Sequence, residues 1–221
     1  MSRWKLFVSL CALAFALLLT AACGSSSANV RLINALPSQG SLDFFVGGKS
    51  EATGVGYSAA SNYISVNSGS EHIQGETTGS SNVVLDLSGN LGSNSFSTAL
   101  AAATGSILLT DNHTAPASGN FSIRVVNASA ILSTADVYIL PSGTDINTVT
   151  PTYSALTLQS NPGYKTLASG TYQVVFTLPG QKFAEASTSS LSFTNGQVRT
   201  VLGLDGFGGA GLTTSVVSDL N

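Results

Sequence analysis

Arg31 and Asp43 stand twelve residues apart, and Arg124 and Asp136 repeat that spacing in a matching stretch. An arginine and a carboxylate held together can grip a charged ligand. They can also pin the register of two neighbouring strands as an ion pair. A scaffold feature recurs with its fold and a ligand site need not. The recurrence therefore favours structural pairs, Arg31 with Asp43 and Arg124 with Asp136.

Other residues offer weaker chemistry. Gly206-Phe207-Gly208-Gly209-Ala210-Gly211 has the Gly-x-Gly-x-x-Gly form, which holds a pyrophosphate only between a strand and a helix. Leu212 to Val217 follows it and reads as a strand, so a flexible loop is expected. Asp86-Leu87-Ser88-Gly89-Asn90 alternates oxygens, but Leu91 occupies the glycine place of a calcium loop, so a plain turn is expected. His72 and His113 are the only histidines, and both read as solvated surface residues. Tyr63, Tyr153, Tyr164 and Tyr172 could stack on sugar rings, although core or cross-strand packing is the commoner use of such residues. No catalytic, cofactor-binding or metal-binding residue is assigned, and no cofactor is expected.

The two cysteines bear on address rather than chemistry. Arg3 and Lys5 precede the apolar run from Leu6 to Leu19, and Thr20-Ala21-Ala22-Cys23 follows. This pattern reads as a signal peptide over residues 1–22. Its end resembles a bacterial lipobox, in which the cysteine is acylated, so Cys23 is the expected lipidation site. An uncleaved membrane anchor is the alternative, since Leu6 to Cys23 is just long enough to span a bilayer. Removing the segment leaves six basic against eleven acidic residues, a net charge of −5. That balance disfavours nucleic acid as a partner.

The elements that must position these residues are short and β-like. Charged residues make up 9% of the 221-residue chain against 43% hydrophobic, with 23 glycines, which suits an exported β protein. Val30 to Ala35 alternates, with Val30, Leu32 and Asn34 on one face and Arg31, Ile33 and Ala35 on the other. Further strands are expected at Leu42–Val46, Asn62–Val66, Val83–Leu87, Phe96–Ala102, Ile107–Leu109, Tyr172–Leu178, Leu191–Thr194, Val198–Leu204 and Leu212–Val217. Asn195-Gly196 reads as a hairpin turn. The expected organisation is a tether over 23–29, a first domain over 30–112, a linker over 113–120 and a second domain over 121–221. Proteolysis in that linker is expected to give two folded fragments. The fold class is all-β: two tandem immunoglobulin-like antiparallel β-sandwiches.

Arg124-Val125-Val126-Asn127-Ala128, the later Asp136-Val137-Tyr138 and Ser169-Gly170-Thr171-Tyr172 resemble the bacterial envelope family called domain of unknown function 4397. The resemblance extends once over each half. The family's usual His-Ala-Ser-Pro is replaced by Asn34-Ala35-Leu36-Pro37 and Asn127-Ala128-Ser129-Ala130, so no role of that histidine carries over. The resemblance implies β-sandwich domains on exported or anchored proteins and no established activity. The sequence thus points to a non-enzymatic cell-envelope lipoprotein acting as a structural, binding or adhesion module. Its expected contacts are the membrane, through a lipid anchor, and an envelope or extracellular protein or glycan. The rivals are a glycan-binding protein and an envelope hydrolase.

Overall fold

The computed structural model describes residues 26–221; Cys23, the 1–22 segment and the start of the tether lie outside them. The N-terminal half contains β1 (Ser27–Ala35), β2 (Ser41–Val46), β3 (Lys49–Gly56), β4 (Ile64–Asn67), β5 (Gly69–Thr77), β6 (Val83–Leu91), β7 (Phe96–Ala102) and β8 (Gly105–Asp111). The C-terminal half contains β9 (Asn120–Asn127), β10 (Thr134–Pro141), β11 (Tyr153–Thr157), β12 (Lys165–Ala168), β13 (Gly170–Thr177), β14 (Ala186–Ser187), β15 (Leu191–Phe193), β16 (Val198–Asp205) and β17 (Leu212–Leu220). The all-β class is as expected from the sequence.

Each half folds as two facing sheets, and the strand order repeats. One sheet runs β4-β1-β7-β8 and its counterpart β12-β9-β16-β17; the others run β3-β2-β5-β6 and β11-β10-β13-β14, with β15 also on β13. Neighbouring strands are antiparallel, apart from β1 with β7 and β9 with β16, which are parallel.

The alternation on the first strand explains the layering. Val30 and Leu32 point into the first core, against Leu42, Phe44, Ile73 and Leu85 of the opposing sheet. Ile33 and Ala35 point the other way, yet they are as buried as the first set. They meet Val126, Ala128, Leu202 and Leu204 of the C-terminal half in a third apolar cluster. A sheet covered on both faces loses its polar face, so β1 and β9 are buried almost throughout. The molecule is therefore four sheets deep, with the inner sheets of the two halves back to back. Asn34 and Asn127 end these strands inside their own halves. Asn34 donates to the Val55 carbonyl and accepts from the Leu36 amide; Asn127 donates to the Leu132 carbonyl and accepts from the Ser129 amide. A buried amide so placed satisfies backbone groups that the chain exposes as it leaves the sheet.

Three expectations are corrected. Asp86 to Asn90 is not a turn but part of β6, since its alternating polar residues lie on a sheet paired to β5. The Asn195-Gly196 turn joins no hairpin: β15 pairs with β13 and β16 pairs with β9, so the turn carries the chain between sheets. Gly196 takes a φ of 81° there, in the region glycine adopts without strain. The tether expected over 23–29 ends earlier, because Ser27, Ala28 and Asn29 already belong to β1 and Ala28 packs into the first core.

Candidate functional site

Arg31 and Arg124 face the boundary between the halves, where they are 2% and 0% exposed. Neither pairs with the aspartate that follows it by twelve residues. Arg31 forms an ion pair with Asp219 in β17, and Arg124 with Asp111 in β8, at 2.6 Å. Each arginine thus crosses to the closing strand of the other half. The expected pairs fail because β1 and β2 belong to opposite sheets of one sandwich, as do β9 and β10. The repeated arginine looks outward from its sandwich and cannot reach the sheet behind it.

The two ion pairs are joined into one network with near two-fold symmetry. Arg31 Nε donates to Thr98 Oγ1 at 2.9 Å, and Thr98 donates to Asp111 at 2.5 Å. Arg124 Nε donates to Thr200 Oγ1 at 3.1 Å, and Thr200 donates to Asp219 at 2.7 Å. The remaining arginine nitrogens reach carbonyls: Arg31 that of Ser218, and Arg124 that of Thr110. Tyr63 lies under Arg31 with 4.6 Å from guanidinium carbon to ring centre, and its hydroxyl donates to Asp111. Tyr164 lies under Arg124 at 4.8 Å and donates to Asp219. Burial pushes the Asp219 carboxyl above its ordinary range, against the pull of Arg31 and Arg124. Burial likewise raises both tyrosine hydroxyls, so they stay protonated donors. A network satisfied on every side is rigid and specifies one arrangement.

The other residues singled out by sequence disperse. Asp43 accepts from the Gly54 amide and the Thr78 hydroxyl, and Asp136 from the amides of Ala155 and Gly180. Each fastens its edge strand, β3 or β11, and a neighbouring loop to the outer sheet. The Gly54 bond, then the Thr78 bond, holds the Asp43 carboxyl below its ordinary 3.8. A folded value below the unfolded one gives stability that is present above the unfolded value and lost as pH falls through the folded value. Wild type is therefore expected to lose stability on acidification below about pH 4, and Asp43→Asn to lose less. Denaturant unfolding of both proteins across that range checks this; equal slopes would contradict it.

His113 is not a solvated residue. It stacks on Phe96 with ring centres 3.6 Å apart and donates from Nδ1 to the Asp219 carbonyl, which closes the network's rim. His72 is exposed and bonds Asp86 at 2.7 Å. Tyr172 packs on Phe121 and Phe193, and Tyr153 packs against the second core, so neither stands out as a stacking platform. The 206–211 loop contains a short 3-10 turn at Phe207–Gly209 and leads into β17, with no helix to hold a phosphate. Among the described residues, no three His, Cys, Asp or Glu side chains gather as a metal site. The charged members that sequence reasoning missed were Asp111 and Asp219. Each follows a hydroxyl residue on a closing strand, Thr110 and Ser218, so a second repeated motif was there to be found.

Among solved structures, CBMbc (family CBM26) from Eubacterium rectale Amy13K, in complex with maltoheptaose, is similar over 86% of this chain and 96% of that one. Sequence identity is 11% and the TM-score 0.25, a value too low to bear on function. No curated protein matches the chain. The family described as domain of unknown function (DUF4397) matches residues 28–138, from the first strand of one half to the second strand of the next. The chain belongs to that family.

Proposed function

We propose that the chain is a non-enzymatic, lipid-anchored module of the bacterial cell envelope, which binds or braces rather than catalyses. One observation carries this: the cluster of ionisable side chains at the boundary of the two halves is spent on itself. Both arginines and both aspartates of the central network have partners from the protein, at the boundary of two sandwiches. Groups so engaged fix two domains as one rigid body and leave no poised acid, base or nucleophile there. The repeated strand order supports a second copy of the family domain in the C-terminal half. Cys23 would supply the lipid, with residues 1–22 removed. The residues between Cys23 and the start of β1 at Ser27 would then carry the body at the surface of the envelope, at the outer membrane if the host has one. Its partner there would be an envelope or extracellular protein or glycan.

The anchoring is tested by metabolic labelling. Labelled palmitate is expected to enter the wild-type protein and not Cys23→Ser. Equal labelling of both, or a mature protein that keeps its first 22 residues, would remove the anchor from this reading.

A further inference from the structure

The N-terminal sandwich is open along one side, where β3 ends the outer sheet and β4 ends the inner one. Two cavities of about 390 Å³ and 490 Å³ lie along that side, and Glu51 lines both. We propose that this groove receives an extended peptide carrying a lysine or arginine, which adds as a strand to the free edge of β3. This deepens the envelope-module reading by naming the class of partner.

The groove is not a by-product of the fold. Phe44 and Val137 each follow the repeated aspartate. The residue opposite Phe44 is Ala52, and the residue opposite Val137 is Tyr153. In the C-terminal half, that tyrosine packs against the core, with Lys165 Nζ 5.0 Å from its ring centre. The N-terminal half has a methyl group at the same place, followed along β3 by Thr53 and Gly54. A Cβ added at Gly54 or at Gly56 would meet nothing within 4 Å. The fold can close this side with one side chain, and in the N-terminal half it does not. The feature that fails to recur is the one to read as a site.

Charge and backbone select the occupant. The Glu51 side chain is 9% exposed, and among the described residues only Lys49 donates to it, at 2.9 Å. Lys49 itself is 76% exposed, so it is a weakly held counter-ion that a second cation can displace. Glu71 lines the same cavity, with a carboxylate oxygen 3.1 Å from where a Cβ on Gly47 would stand. Two carboxylates against one lysine make an acidic wall that favours a basic side chain. Among the described residues β3 pairs only with β2, which leaves its other edge to pair with an added strand.

The test uses the purified full-length chain in detergent, so it does not depend on whether Cys23 carries a lipid. The probes are two fluorescein-labelled hexapeptides, Thr-Val-Lys-Val-Thr-Val and Thr-Val-Glu-Val-Thr-Val, followed by anisotropy. The lysine peptide is expected to bind saturably, and the glutamate peptide at least about tenfold more weakly. Ala52→Tyr, which copies the register of Tyr153, is expected to abolish binding with its melting temperature close to wild type. Glu51→Gln is expected to weaken the lysine peptide about tenfold, and this variant decides the matter if Ala52→Tyr folds poorly. Three results would overturn the proposal: no saturable binding of the lysine peptide, equal binding of both peptides, or binding that survives both substitutions. Saturable binding of neutral chitotetraose that Ala52→Tyr abolishes, without binding of either peptide, would overturn it in favour of a glycan cleft.

Discussion

Arg124→Met is expected to lower the stability of the chain by about 3–5 kcal/mol, because it strips a fully buried Asp111 of its counter-ion. Tyr63 and Thr98 would still donate to that carboxylate, but neither carries charge. Arg31→Met should behave alike, through Asp219. Asp111→Asn alone would leave the guanidinium buried and unpaired. The double variant Arg124→Met/Asp111→Asn should therefore lose less than the sum of the two, with a coupling above about 0.5 kcal/mol. Because the pair spans both halves, the loss should appear in one unfolding transition that reports on the whole chain. Denaturant melts read both quantities. Small additive losses, or two transitions of which only one shifts, would show that the network does not hold the halves together.

Cutting the chain between β8 and β9 is expected to yield two fragments that stay together, not two independent domains. The expectation of separable fragments took each half to be self-sufficient. Each does own a core, but Ile33, Leu100 and Leu109 share a third cluster with Val126, Leu202 and Val217. Side-chain bonds cross the same boundary, among them Gln159 to the Gly105 carbonyl at 2.6 Å and Ser215 to the Ser58 carbonyl at 2.6 Å. Residues 120–221 alone would expose that apolar face, leave Arg124 without Asp111 and leave Asp219 without Arg31. Such a fragment should aggregate, or associate with itself, at concentrations where the nicked pair remains soluble. Size-exclusion chromatography of the nicked chain and of the fragment distinguishes these outcomes. Two monomeric, cooperatively folding fragments would contradict the shared core.

Local pattern carried much of this structure and topology carried the rest. The two faces of β1 were legible because a strand alternates with a period of two, and the structure sends Leu32 and Ile33 to different clusters. Sequence could not say that the second face meets another sandwich, because an apolar residue facing a domain looks like one facing a core. Repetition marked Arg31 and Arg124 as structural, yet their partners lie 188 and 13 residues away by reciprocal exchange between halves. Spacing within a repeat cannot reveal a contact between repeats. The strand β3 was missed because Lys49 to Gly56 holds few β-branched or aromatic residues. Its strand form is imposed by pairing with β2. The open side, with Ala52 where Tyr153 closes the other half, becomes visible only once that register is known.

The position of β1 has a mechanical consequence. It lies inside its sheet, antiparallel to β4 and parallel to β7 through seven paired residues, from Asn29 with Phe96 to Ala35 with Ala102. A pull on the N-terminus runs along this strand and loads its ladder bonds in shear, together rather than one after another. The strand cannot slide out without also dragging Arg31 from Asp219. A chain held by its first residues thus meets force with this seam, and the Arg31–Asp219 pair passes part of the load to the second sandwich.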